Sequence, residues 1–146
     1  MYEAIQILHS YWAYLVVLVV LLATINAIIG VISKREYTPK DFRISLFALI
    51  TSHIQLLIGI VLLFVSPLVV WFSGTHSMGE IMKNATLRLY NVEHPLIMIL
   101  MIAFITIGYS KHKKKLTSTP KLKTLAIFYT IAAVLMLSRI PWSNWF

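Results

Sequence analysis

Four apolar runs, each near the length needed to cross the hydrocarbon of a bilayer, leave this 146-residue chain few folds to choose from. They lie at about 11–32, 44–72, 89–109 and 122–140, the last being the shortest. Some 20 helical residues at ~1.5 Å each span ~30 Å of lipid tails, where every backbone polar group must find a partner within the protein. The runs therefore predict an all-α, integral membrane protein. Short connections favour an up-and-down four-helix bundle, with residues 1–146 forming a single transmembrane domain. Only 12% of the residues are charged, against roughly 25% in soluble domains, so no separate soluble catalytic domain fits.

Charge fixes the expected orientation. Of thirteen basic residues, Lys34, Arg35, Lys40 and Arg43 fall between the first two runs. Lys111, Lys113, Lys114, Lys115, Lys121 and Lys123 fall between the last two, leaving only Lys83, Arg88 and Arg139 elsewhere. The positive-inside rule puts both basic loops in the cytoplasm, and both termini and the 73–86 loop outside. The run 111–115 also suits anionic headgroups. A net charge of +8 placed this way argues against a nucleic-acid partner. The N-terminus lacks a basic n-region and a small-residue cleavage motif, so the first run reads as a retained helix. Cys is absent, which excludes disulfides, iron–sulfur clusters and c-type haem attachment.

Local signals agree with four spans. Asp41 in Thr38-Pro39-Lys40-Asp41 is placed to cap the second helix, and Pro67 kinks that helix or ends its membrane section. Ser118-Thr119-Pro120 is expected to break the chain before the fourth. Trp12, Trp71, Trp142 and Trp145 sit near the outer ends, as an aromatic belt would.

Polar residues inside apolar runs are costly and carry the functional signal. His53 interrupts the second run, while His9 and His94 head the first and third. At ~1.5 Å rise per residue, His9 falls ~15 Å and His94 ~9 Å to the outer side of their span midpoints, and His53 ~7 Å to the cytoplasmic side. Two histidines on one iron need similar depth on facing helices, which selects His9 with His94. In helical phase with His9 run Ala13, Val16, Val20, Ala23 and Ala27, a small-residue stripe that suits close packing or a flat cofactor. Met98, Met101 and Ile105 follow His94. Arg88 and Arg139, at the same end, are candidate propionate partners, with interfacial snorkelling the plainer explanation.

His53 has three readings: an interhelical hydrogen bond to Asn26 (nearly level with it), a cofactor or second-haem role, or proton and quinone chemistry. Gln55 shares another face with Thr51 and Gly59. His112, inside a lysine run, is expected to be solvated, and His76 lies in a loop. Glu93 adjoins His94, but neighbours in sequence do not share a helix face. Zinc needs three or four convergent ligands, which this spacing does not specify. No phosphate loop, dinucleotide fingerprint or nucleophile elbow is present.

The chain resembles a family of small four-helix bacterial membrane proteins labelled cytochrome b-like. The resemblance runs through nearly the whole length. It rests on Leu8-His9-Ser10, on Ser52-His53-Ile54-Gln55-Leu56-Leu57-Ile58-Gly59, on Val92-Glu93-His94, on Ile107-Gly108 before the basic run, and on Ile140-Pro141-Trp142. It implies b-type haem held by histidines and electron transfer in the bacterial inner membrane, with a quinone or a redox subunit as partner. More loosely, the segment around His53 is similar to a helix of haem A synthase, whose acidic loop motif beside a histidine is missing here. The resulting expectation is a haem b protein ligated by His9 and His94, with His53 at a second site. The alternative is a cofactor-free accessory subunit whose buried polar residues join helices, alone or in an oligomer. A channel or transporter is disfavoured by the lack of intramembrane carboxylates.

Overall fold

A computed structural model describes residues 1–145, which fold into helices joined by short connections. Four helical stretches are long and apolar enough to cross a membrane: Tyr2–Ile32 (α1), Pro39–Val65 (α2), Ala85–Lys114 and Ser118–Ser138 (α6). The third is compound, running from Ala85–Arg88 (α4) through a π-helical turn, Leu89–Glu93, into His94–Lys114 (α5). Short helices Met78–Lys83 (α3) and Trp142–Trp145 (α7) complete the set.

The helix ends differ from those expected, for local reasons. α2 starts at Pro39 rather than 44, because Thr38 and Asp41 close a capping box and proline suits the first turn. It stops at Val65 rather than 72, because proline at 67 forces residue 66 out of the helical region; Ser66 is extended, at ψ 131°. α1 begins nine residues before the apolar run. Pro120 lies within the first turn of α6, where a missing N–H costs nothing, so the Ser118-Thr119-Pro120 segment opens that helix instead of preceding it.

The π-helical turn also has an identifiable cause. Pro95 carries no N–H, and its ring excludes the carbonyl of Asn91 from the normal ladder. The His94 N–H reaches back five residues to Leu89 instead. The freed Asn91 carbonyl accepts the Trp71 indole N–H at 2.8 Å. The Asn91 side chain, 4% exposed, accepts from the Val70 N–H at 2.8 Å and donates to the carbonyls of Leu68 and Leu87 at 3.1 and 2.8 Å. One buried asparagine thus ties the segment after α2 onto the third stretch.

In cross-section the four long stretches form a ring, α1 next to α2, α2 next to α5, α5 next to α6 and α6 next to α1. All neighbours are antiparallel. Trp12 meets Thr51 and Asn26 meets Asp41, while Phe42 meets Tyr109 and His53 meets Thr106. His94 meets Arg139 and Gly108 meets Phe128, and Thr24 meets Tyr129 and Gly30 meets Leu122. The expected α1 stripe faces inward: Val16, Val20, Ala23 and Ala27 are buried against Met101, Ile105, Leu125 and Ala132. Tyr129, fully buried, donates across the bundle to the Ser45 carbonyl at 2.7 Å. At Gly108 an added Cβ would run into the Cβ of Phe128, so glycine is what allows α5 and α6 to approach. The outer faces are apolar as well, with Leu18, Leu22, Ile29, Leu57, Phe64 and Val134 all exposed.

Candidate functional site

At the end of the bundle opposite the two basic loops, α1, α2, α5, the end of α6 and α7 line a partly open cavity of about 260 Å³. His9 and His94 both line it, with ring centres 6.2 Å apart and planes at 74°. An imidazole nitrogen lies ~1.1 Å from its ring centre and binds a transition metal at ~2.0 Å, so two rings ligating one ion from opposite sides stand ~6.2 Å apart. The spacing fits that arrangement.

Each ring is positioned by a different device. His94 Nδ1 donates to the Arg139 carbonyl at 2.8 Å. That carbonyl ends α6, where the helix offers it no N–H. A carbonyl only accepts, so the proton sits on Nδ1 and the Nε2 lone pair is left for a ligand, the arrangement metal-binding histidines show. His9 rests against Gly59 of α2, where an added Cβ would come within 3.4 Å of its Cε1. Gln55 Nε2 holds the His9 carbonyl at 2.9 Å.

Three residues that line this cavity carry a buried polar atom without a hydrogen-bond partner in the protein: His9 Nδ1, Ser52 Oγ and Gln55 Oε1. Buried polar atoms are nearly always paired, so three orphans in one cavity mark a place prepared for a ligand or ordered water. The remaining walls are apolar, Leu56, Met98 and Met101 among them. At 260 Å³ the cavity lies just below the ~300 Å³ at which small-molecule sites usually begin. Among the described residues no group of three or more His, Asp or Glu converges to hold a metal.

The arginines are placed differently. Arg88 Nε binds Glu93 at 2.8 Å, and Arg139 Nε approaches the other carboxylate oxygen at 3.5 Å. Neither lines the cavity. Arg139 contributes to the site through its main-chain carbonyl.

The Asn26–His53 pair is corrected. Asn26 donates to Asp41 at 2.6 Å and accepts from Arg35 at 3.1 Å. His53 instead lies exposed on the bundle exterior, with Nδ1 on the Leu49 carbonyl at 2.8 Å. The two are close in depth but lie on different faces. His112 is corrected too: it is fully buried, with Nδ1 on the Tyr109 carbonyl and Nε2 2.9 Å from the Tyr37 hydroxyl. It follows Met101, Ile105 and Gly108 on the inward face of α5, and that phase outweighs the lysines around it.

Asp41, 2% exposed, takes a bidentate pair from Arg35 at 2.7 and 2.8 Å and the Thr38 N–H at 2.8 Å. Outside the helices, burial, with the Asp41 charge and Tyr109 adding to it, pushes the Tyr37 phenol up to about 12. Ser52 and Asn91 are the site and support residues that the apolar runs concealed. Ser52 shares a face with Gln55 and Gly59 at helical spacing, and Asn91 stands four residues before a proline.

Fold and site together define an all-helical chain with four membrane-length helices and a two-histidine cavity between them. No family model, curated protein or solved structure matches this chain.

Proposed function

We propose that the chain is a multi-pass membrane protein of the bacterial inner membrane that binds one b-type haem for electron transfer, which His9 and His94 would hold. The observation that carries this is the 6.2 Å ring separation inside a cavity lined by orphaned polar atoms. The positive-inside rule supports a cytoplasmic position for both basic loops and an outer position for the cavity. An apolar exterior on all four helices supports immersion in lipid.

The chemistry a bound haem supplies is reversible one-electron transfer. The protein's part is ligation, orientation and burial. His94 is held in one tautomer by Arg139, His9 is braced by Gly59 and Gln55, and Leu56, Met98 and Met101 keep the surroundings apolar. Arg88 and Arg139 face Glu93 through Nε, so a propionate would meet them beside a carboxylate already in place.

The test is a reduced-minus-oxidised spectrum of protein purified from haem-replete cells. A Soret and an alpha band are expected, lost in His9→Ala and His94→Ala and retained in His53→Ala. A folded protein with no chromophore refutes the proposal. It would favour the cofactor-free accessory subunit, in which the edge-to-face contact of the two imidazoles is packing alone.

A further inference from the structure

The Arg139 carbonyl sets the tautomer of His94, whereas the matching atom of His9, Nδ1, is buried with no hydrogen-bond partner in the protein. The direction of that atom is nevertheless defined. A Cβ added at Gly59 would lie 3.4 Å from His9 Cε1 and 3.8 Å from Nδ1, with Nε2 beyond 4 Å. The Nδ1–Cε1 edge of the ring is therefore turned onto α2. Gln55 stands one helical turn from Gly59, on the same face of that helix.

The Gln55 amide has only one workable orientation. Its Nε2 donates to the His9 carbonyl at 2.9 Å, and a carbonyl only accepts, so the amide cannot be turned over. Oε1 is left buried and unmatched. The two unmatched atoms are complementary, because an amide oxygen accepts and an imidazole nitrogen can carry a proton. Both belong to residues already joined through the His9 carbonyl. A water that accepts from Nδ1 and donates to Oε1 satisfies both, as buried waters commonly do. Free neutral histidine favours its proton on Nε2, so an Nδ1–H ring needs such an acceptor to hold it. Ser52 Oγ, three residues before Gln55 and also unmatched, is the rival donor for Oε1.

We propose that Gln55 is the positioning residue of His9: through one bound water its Oε1 takes the Nδ1 proton, so that His9 presents Nε2 to the cavity as His94 does. This role rests on the cavity being the ligand site proposed above, but the position of the proton does not require haem. A ligating ring whose other N–H is hydrogen-bonded is the stronger base toward a metal, so the same contact would tune the site.

The test is nitrogen-15 NMR of the histidine rings in the full chain, prepared without haem in lipid nanodiscs, at a pH where the rings are neutral. His9 and His94 should both carry the proton on Nδ1, and a cross-peak should join the His9 Nδ1 proton to water. Gln55→Leu should lower the His9 ratio of Nδ1–H to Nε2–H about tenfold, the value of one net hydrogen bond, and leave His94 unchanged. Gln55→Glu keeps an acceptor oxygen and should keep the wild-type ratio, as should Ser52→Ala. Four results would overturn the proposal: a wild-type His9 proton on Nε2, no water cross-peak, an unchanged ratio in Gln55→Leu, or loss of the Nδ1 form in Ser52→Ala. The wild-type tautomer decides even where Gln55→Leu fails to fold. In protein that carries haem, Gln55→Leu should shift the midpoint potential upward and Gln55→Glu should not. A chain that never binds haem yet shows these tautomers would refute the proposed function alone.

Discussion

Replacing Asp41 with asparagine tests the most densely bonded point in the molecule. The Asp41 side chain is 1% exposed and that of Arg35 32%. Its oxygens accept from Arg35 at 2.7 and 2.8 Å, from Asn26 at 2.6 Å, and from the Thr38 N–H and hydroxyl at 2.8 and 3.1 Å. Asparagine keeps the shape but turns one oxygen into an amide donor. Whichever way that amide is turned, it opposes at least two donors, so two bonds are lost and Arg35 has no counter-charge. Bonds to charged groups contribute ~1.5–3 kcal/mol each, and breaking a buried pair costs ~3–5 kcal/mol. Water reaches the Arg35 end and offsets part of this, so the expected loss is ~2–4 kcal/mol.

Denaturation with SDS in mixed micelles, followed by circular dichroism at neutral pH and fixed lipid content, measures that loss. A cycle with Arg35→Gln isolates the pair, for which a coupling of ~1–2 kcal/mol is expected. A loss for Asp41→Asn below ~1 kcal/mol, or strict additivity with Arg35→Gln, would refute the reasoning, because the cluster would then be solvated and weak.

Three further outcomes follow from single contacts. Tyr37 should titrate near 12, in place of ~10 for a free phenol, when absorbance at the phenolate band is followed against Tyr37→Phe. The unfolded state ionises first, so this contribution to stability is complete below pH ~10 and is lost as pH rises toward 12; Tyr37→Phe should flatten that decline. Gly108→Ala should destabilise by ~1–3 kcal/mol in the same SDS assay, and Phe128→Ala should not rescue it, since the collision is with the Phe128 Cβ that alanine retains. Asn91→Asp sets a carboxylate oxygen against the carbonyls of Leu68 and Leu87; a loss of ~2–4 kcal/mol and faster hydrogen exchange at the Val70 amide are expected, and unchanged exchange would refute the role given to Asn91.

The number of long helices was readable because lipid-length apolar runs have few alternatives. Their ends were not, because hydropathy marks where side chains are apolar and not where the backbone stops coiling. Thr38-Pro39-Lys40-Asp41 and Pro67 carried the missing information for α2 in their caps. Depth along a helix was readable by counting, and it selected His9 with His94, which the fold brings to 6.2 Å. Rotation about the axis was harder. Depth alone pairs Asn26 with His53, but the fold turns one toward Asp41 and the other out of the bundle. For His112 the angular signal was present in the sequence, in the spacing from Met101 through Ile105 and Gly108. The lysines around it pointed the other way, yet burial follows phase.

The two ends of the bundle are built on opposite terms. At the basic end, Asn26, Arg35, Asp41 and Thr38 join α1 to α2. Tyr37 joins that connection to α5 through His112 and to α6 through Ser118, at 2.9 and 2.8 Å. At the other end, Ser52, Gln55 and His9 keep polar atoms unmatched around a cavity. Buried polar atoms without a protein partner lower stability, so they persist where other contacts hold the helices in register. The charged cluster and the Tyr37 clamp supply that restraint from a distance, without touching the site. Asp41→Asn should therefore lower the unfolding midpoint while leaving any haem spectrum unaltered in the folded fraction. Gly59→Leu, which drives a side chain into the space beside His9, should alter the spectrum at a smaller cost in stability. If Asp41→Asn shifted the absorption bands of the folded protein, the two ends would be mechanically coupled and this division of roles would fail.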